Sequence, residues 1–139
     1  MAFKLYTGRV KQIWYPKKAS IAIAVGDLMY AASGTILLAD STSGNHVGVS
    51  NKVWASSDAT TDPTPVIVPL SPNVEWKVDI GTGTATAAMI QTYRDLKDED
   101  EADVSAQSKN VLLMTKFINT SYCIFIVNAM GEHVDVATT

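Results

Sequence analysis

"VGDLMYAASGTILLADSTSGNHVGVS" (Val25–Ser50) is built from short apolar runs cut by glycine. Gly26-Asp27 ends one run, "LMYA" resumes it, and Ser33-Gly34 marks a turn before "TILLA" (Thr35–Ala39). "DSTSGN" (Asp40–Asn45) has the composition of a loop. "HVGVS" (His46–Ser50) reads as a short strand whose Gly48 permits close backbone approach. Turn signals at intervals of about 8–12 residues are those of a sandwich or a barrel.

The same reading extends in both directions. Upstream, "IAIAV" (Ile21–Val25) alternates at period two, as a strand with one buried face does. Downstream, "VEWKVDI" (Val74–Ile80) sets Val74, Trp76, Val78 and Ile80 on one face and Glu75, Lys77 and Asp79 on the other. Gly81–Gly83 is a turn, "TATAAMIQTY" resumes an extended run, and "YCIFIV" (Tyr122–Val127) is a further strand, with a reversal expected at Gly131-Glu132. "SSDATTDPTP" (Ser56–Pro65) reads as an exposed loop. Pro63, Pro65, Pro69 and Pro72 around "VIV" (Val66–Val68) predict an edge strand or an extended connector. Asp95–Lys109 contains good helix formers but few apolar residues, so at most a short surface helix is expected there. The fold class is mainly β: a single small β-sandwich or β-barrel-like domain over residues 19–139, preceded by residues 1–18 as an extended N-terminal arm or a first strand.

Composition narrows the function. The 139 residues are 47% hydrophobic and 18% charged, which suits one globular domain. No apolar run reaches the roughly 20 residues of a membrane span, and the first residues lack the apolar core of a signal peptide. With Cys123 alone there is no intrachain disulfide, so synthesis in a reducing cytoplasm is expected. The net charge of −3 is unevenly spread. Lys4, Arg9, Lys11, Lys17 and Lys18 make residues 1–18 basic, whereas residues 95–103 hold six acids against one lysine. That layout suits either two solvated segments or complementarity between copies. Overall acidity argues against nucleic acid as the partner.

Reactive constellations are weak. "GTGTAT" (Gly81–Thr86) lacks the lysine and hydroxyl of a phosphate loop and reads as a hairpin turn. Asp40, Ser41 and His46 fall within seven residues, but three polar residues in a Ser/Gly/Asn loop do not make a triad. Cys123 sits among apolar residues as a buried thiol, and His46 and His133 lack ligand-spaced partners for zinc. Asp98, Asp100 and Asp103 offer hard oxygens without the glycine turn of an EF-hand, so only adventitious calcium is expected. The expectation is no enzyme, no cofactor and no metal. Trp76 is a core residue by alternation, Trp54 packs at a strand end, and Trp14 beside Tyr15 and two lysines suits an interface anchor. The interface candidates are Lys11, Trp14, Tyr15, Lys17, Lys18, Asp98 and Asp100.

"GDLMY" (Gly26–Tyr30) followed by "HVGVS", and "YRDL" (Tyr93–Leu96) followed by "VLLMTKFINTSYCIFIVN" (Val111–Asn128), resemble the capsid decoration, or cement, proteins of tailed bacteriophages. The resemblance covers about two-thirds of the chain in short pieces, and the central Ser56–Lys77 departs from it. It implies a β-rich protein on the outer surface of a phage head, commonly a homotrimer. The major capsid protein would be its partner, with neither nucleic acid nor membrane involved. Two other readings remain: a carbohydrate- or host-surface-binding β-sandwich using Trp14, Tyr15 or Asp40–Asn45, and a tail-tube or connector protein. Removing residues 1–18 is expected to leave a folded domain that binds heads poorly.

Overall fold

The structure, a computed structural model, describes residues 2–59, 61 and 63–130. Two sheets account for nearly all of its regular structure. The first is built around β7 (Glu75–Thr82), whose alternation buries Val74, Trp76 and Val78 at 2%, 1% and 0% exposure. One edge of β7 pairs with β11 (Tyr122–Val127), bringing Phe125 opposite Trp76 and Cys123 opposite Val78. β11 pairs with β10 (Leu112–Phe117), β10 with β8 (Tyr93–Asp98), and β8 with β9 (Glu101–Asp103). β9 then returns to β7 in parallel, Ile80 facing Ala102, so five strands close into a barrel. β1 (Phe3–Thr7) takes the other half of that same β7 edge, with Phe3 opposite Val78.

The second sheet has the order β2-β6-β5-β3-β4, from β2 (Val10–Pro16), β6 (Pro63–Pro69), β5 (His46–Ser50), β3 (Leu28–Ala32) and β4 (Thr35–Leu38). The β3–β4 hairpin turns at Ser33 and Gly34, both left-handed at φ 52° and 82°, as a two-residue turn of matching twist requires. Gly48 has its predicted role, because a Cβ there would lie 2.4 Å from the Ile67 carbonyl oxygen. A core of Ile23, Met29, Ile36, Val47, Val66 and Val68 fills this sheet's concave side. Leu28 and Val49 instead join the larger core of the barrel, so the two sheets pack as one body. The N-terminal segment is part of this framework: residues 3–7 belong to one sheet and 10–16 to the other. Deleting 1–18 would uncover Phe3's site and strip a strand from each sheet, rather than leave an intact domain.

Several local expectations fail for identifiable reasons. Ile21–Val25 is not a strand: Ile23 alone bridges to Trp54, and Asp27 folds back to accept the Ala24 N–H at 2.8 Å, closing a turn. Residues 87–89 form one 3-10 turn inside the stretch expected to be extended. Asp95–Lys109 is no helix but the β8–β9 hairpin and a loop. Its aspartates compete for backbone donors: Asp98 accepts the Asp100 N–H and Asp103 the Ser105 N–H. Pro63 and Pro65 lie in strand rather than loop, and β6 is an inner strand rather than an edge. It tolerates three prolines because Pro63, Pro65 and Pro69 sit at alternate positions, so every missing donor points away from β2. On that other side Pro65 serves as an acceptor only, for the Asn51 N–H at 3.0 Å. The reversal expected at Gly131-Glu132 lies outside the described residues.

Candidate interaction surface

The seven candidate residues separate into three environments. Lys11, Trp14 and Lys18 are exposed on or just beyond β2, Trp14 at 57%. Trp14 lies opposite Pro65, and its neighbour Gln12 accepts a hydrogen bond from the Asn51 amide at 3.1 Å. This rim continues into an apolar groove of about 270 Å³ between the sheets, bounded by Leu5, Val10, Val25 and Ile67.

Tyr15 and Lys17 point the other way. Alternation along β2 turns Ile13 and Tyr15 toward the smaller core, and burial pushes the Tyr15 hydroxyl above its ordinary pKa. Lys17 is fully buried. Its ammonium lies 3.4 Å from the Lys18 and Asp58 carbonyl oxygens and 4.9 Å from the centre of the Trp54 ring. Trp54 is itself held by an indole N–H bond to the Thr64 hydroxyl at 2.9 Å. Of the interface candidates in the basic run, Lys17 is therefore buried inside the chain, and Tyr15 is half-buried against the smaller core.

Asp98 and Asp100 occupy the β8–β9 hairpin, half-buried, and their carboxylates gather with that of Glu101 within 4.8 Å. The hairpin tip is docked on the chain's other sheet, where the Glu99 carbonyl accepts the Leu28 N–H at 2.7 Å. Asp27 lies beneath it, its pKa raised by burial and then by the charges of Glu99 and Asp98. Asp100 is pushed up to about 7 by burial and by its acidic neighbours, Asp98 first. Lys97 offsets part of this charge, 3.6 Å from Glu101. The acidic run therefore docks at Leu28 of its own chain, and Asp103, which reading by composition grouped with Asp98 and Asp100, instead caps Ser105.

One residue escaped sequence reasoning. Asp95 accepts four hydrogen bonds of 2.8–3.0 Å, from the Ser108 N–H and hydroxyl and the Lys109 and Asn110 N–H groups. Burial alone would raise its pKa, but these bonds outweigh it and hold the carboxylate below its usual range. The signal was there in principle, since an aspartate facing a Ser-Lys-Asn loop is a common loop clamp, but the surrounding acids hid it.

A second, polar hollow of about 200 Å³ lies between Ser43–His46, Lys109–Val111 and Asn128. The serine beside His46 is Ser43 and not Ser41, with 2.9 Å between its Oγ and Nε2. Ser43 also donates to the Asp40 carbonyl at 3.0 Å and accepts the Asp40 N–H at 3.1 Å. These contacts tie the Ser43 side chain into the Asp40–His46 turn. Asp40 serves the same turn, and the Thr42 N–H bonded to it lowers its pKa. Among known proteins, no family model matches the chain and no curated protein is similar to it.

Proposed function

We propose that the chain is a structural binding protein that decorates the outer surface of a phage head, holding neighbouring shell subunits together as a homo-oligomer, commonly a trimer. The observation that carries this reading is β2, a rigid strand that exposes Trp14 at 57% and leaves Lys11 and Lys18 exposed on or just beyond it. Aromatic and cationic groups on a fixed element suit contact with a large partner. Such a role needs no chemical step. A decoration protein bridging a seam must be detached before the seam opens, and several modest contacts of roughly 800 Å² each act together through effective concentration. The major capsid protein is the partner, on the virion exterior, after synthesis in the host cytoplasm.

The test is co-sedimentation of the purified protein with expanded, undecorated heads, with light scattering on the free protein. Saturation at a fixed copy number per head is the expected result; absence of binding by a monomeric protein refutes it.

The second reading, a carbohydrate-binding module, is favoured by the hollow beside Ser43–His46, whose rim supplies amides from Asn45, Asn110 and Asn128. It uses the Asp40–Asn45 loop and calls for sugar binding by the isolated chain. Glycan-array binding that Asn45→Ala abolishes, without any binding to heads, would put it first.

A further inference from the structure

The β8–β9 hairpin is one place where the barrel grips the second sheet, and acids crowd that grip. Its two-residue tip, Glu99-Asp100, lies between Asp98 and Glu101, which pair in register. The tip meets the turn leading into β3, where the Glu99 carbonyl accepts the Leu28 N–H at 2.7 Å. The same turn is tied to β1, whose Phe3 N–H donates to the Gly26 carbonyl at 2.8 Å. Among the described residues, the hairpin's hold on the turn is that single backbone bond. The root of the hairpin is fixed by contrast, because Leu96 and Ala102 pair there and both are buried. Any movement is thus confined to residues 98–101.

The carboxyl groups of Asp98, Asp100 and Glu101 lie within 4.8 Å of one another, and Glu99 adds a fourth acid. Asp27, on the turn itself, is 6% exposed, and Asp79 of β7 stands in register with Glu101. Against these acids are set Lys97, 3.6 Å from Glu101, and the amino-terminal charge, which acts on Asp27. Carboxyls crowded together and partly withdrawn from water do not all ionise, and retaining one proton relieves the repulsion. Burial first, then Asp98, favour Asp100 as its holder, pushed up to about 7.

We propose that the hairpin tip is a proton-operated latch: with a proton held between Asp98 and Asp100 it closes on Leu28, and when that proton leaves, the tip lifts from the turn and frees the Leu28 N–H. The latch belongs to the free protein and does not depend on what β2 binds. Lifted into water, Asp100 titrates near its ordinary 3.8. The proton's contribution to closure is therefore complete below that pH and is lost as pH rises through about 7. Between pH 6 and 8 the ratio of open to closed latch rises about tenfold.

Amide hydrogen exchange of the full chain, followed by NMR and corrected for the intrinsic effect of pH, reads the latch at the Leu28 N–H. Phe125, fully buried on β11, reports opening of the whole fold. Leu28 should be at least about tenfold less protected than Phe125, because it opens locally, and should lose about a further tenfold between pH 6 and 8. Asp100→Asn has no proton to lose, so Leu28 stays protected across that range. Should Asp100→Asn disturb the fold, Asp98→Asn removes the neighbouring charge and makes the response shallower. The carboxyl carbon shift of Asp100 supplies a direct reading, and titration near 4 would overturn the inference. So would equal protection of Leu28 and Phe125, a Leu28 amide indifferent to pH, or a wild-type response kept by both variants. Restored protection at pH 8 in about 1 mM calcium chloride would overturn it too, by making the cluster a cation site.

Discussion

Gly48→Ala should be among the most damaging single-methyl changes in the molecule. The added Cβ would lie 2.4 Å from the Ile67 carbonyl oxygen and 2.6 Å from Val66 Cγ1, whereas ordinary contact begins near 3.4 Å. One obstacle is backbone of β6 and cannot rotate aside, so the strands must part by about 1 Å. β5 pairs with β6 at Val49–Ile67 and Ser50–Val66, right beside Gly48, so that displacement loosens the join. Overpacking costs about 1–3 kcal/mol and each weakened backbone bond about 1 kcal/mol, giving a loss of about 3–4 kcal/mol. For a domain of this size the melting temperature falls by about 10–15 °C. Calorimetry and urea unfolding measure it directly, with Gly44→Ala as control, since a Cβ there meets nothing within 4 Å. A fall below about 3 °C for Gly48→Ala would refute the close-approach argument.

Asp95→Ala strips four hydrogen bonds from the Ser108–Asn110 loop and should cost about 3 kcal/mol in urea unfolding; a loss under about 1 kcal/mol would show the clamp to be dispensable. Asp100 binds a proton more tightly folded than unfolded, so its favourable contribution is present below pH 4 and lost as pH rises through about 7. Asp27 acts in the same direction, and Asp95 in the opposite one, at lower pH. Between pH 5 and 8 the melting temperature should therefore fall, and Asp100→Asn should flatten the slope and raise the value at pH 8; an unchanged slope counts against the acidic cluster as its source. Trp14→Ala and Lys18→Glu should reduce binding to undecorated heads without moving the melting temperature, the second effect shrinking as salt rises. Unaltered binding by both would remove the β2 surface from the contact.

The strands were legible where one face is buried and the other wet. Val74–Ile80 and Tyr122–Val127 declare themselves through alternation, and Ser33-Gly34 through a turn that only certain residues accept. What failed depends on partners distant in sequence. Prolines at 63, 65 and 69 look like edge signals until the register shows them all facing the same way. Asp95–Lys109 has helical propensity, yet its aspartates claim the backbone donors that a helix needs. The candidate surface divides along the same line. Alternation in "IWYPK" distinguishes an outward Trp14 from an inward Tyr15, but nothing local says that the inward row ends in a buried lysine. That burial is set by Trp54 and Asp58, some forty residues away.

The way β1 and β2 are distributed between the sheets has a consequence for synthesis. Residues 3–7 leave the ribosome well before their partner, β7 at Glu75–Val78, and β2 likewise awaits β6 at Pro63–Pro69. At about 5–20 residues per second, the opening strands wait several seconds to more than ten before either pairing exists. Throughout that interval Phe3, Leu5, Tyr6, Ile13 and Trp14 form an apolar, acid-free nascent segment with no sheet to join. Both sheets are thus completed only when β6 and β7 emerge to join strands made well before them, and until then β1 and β2 are an exposed apolar stretch for a chaperone to cover.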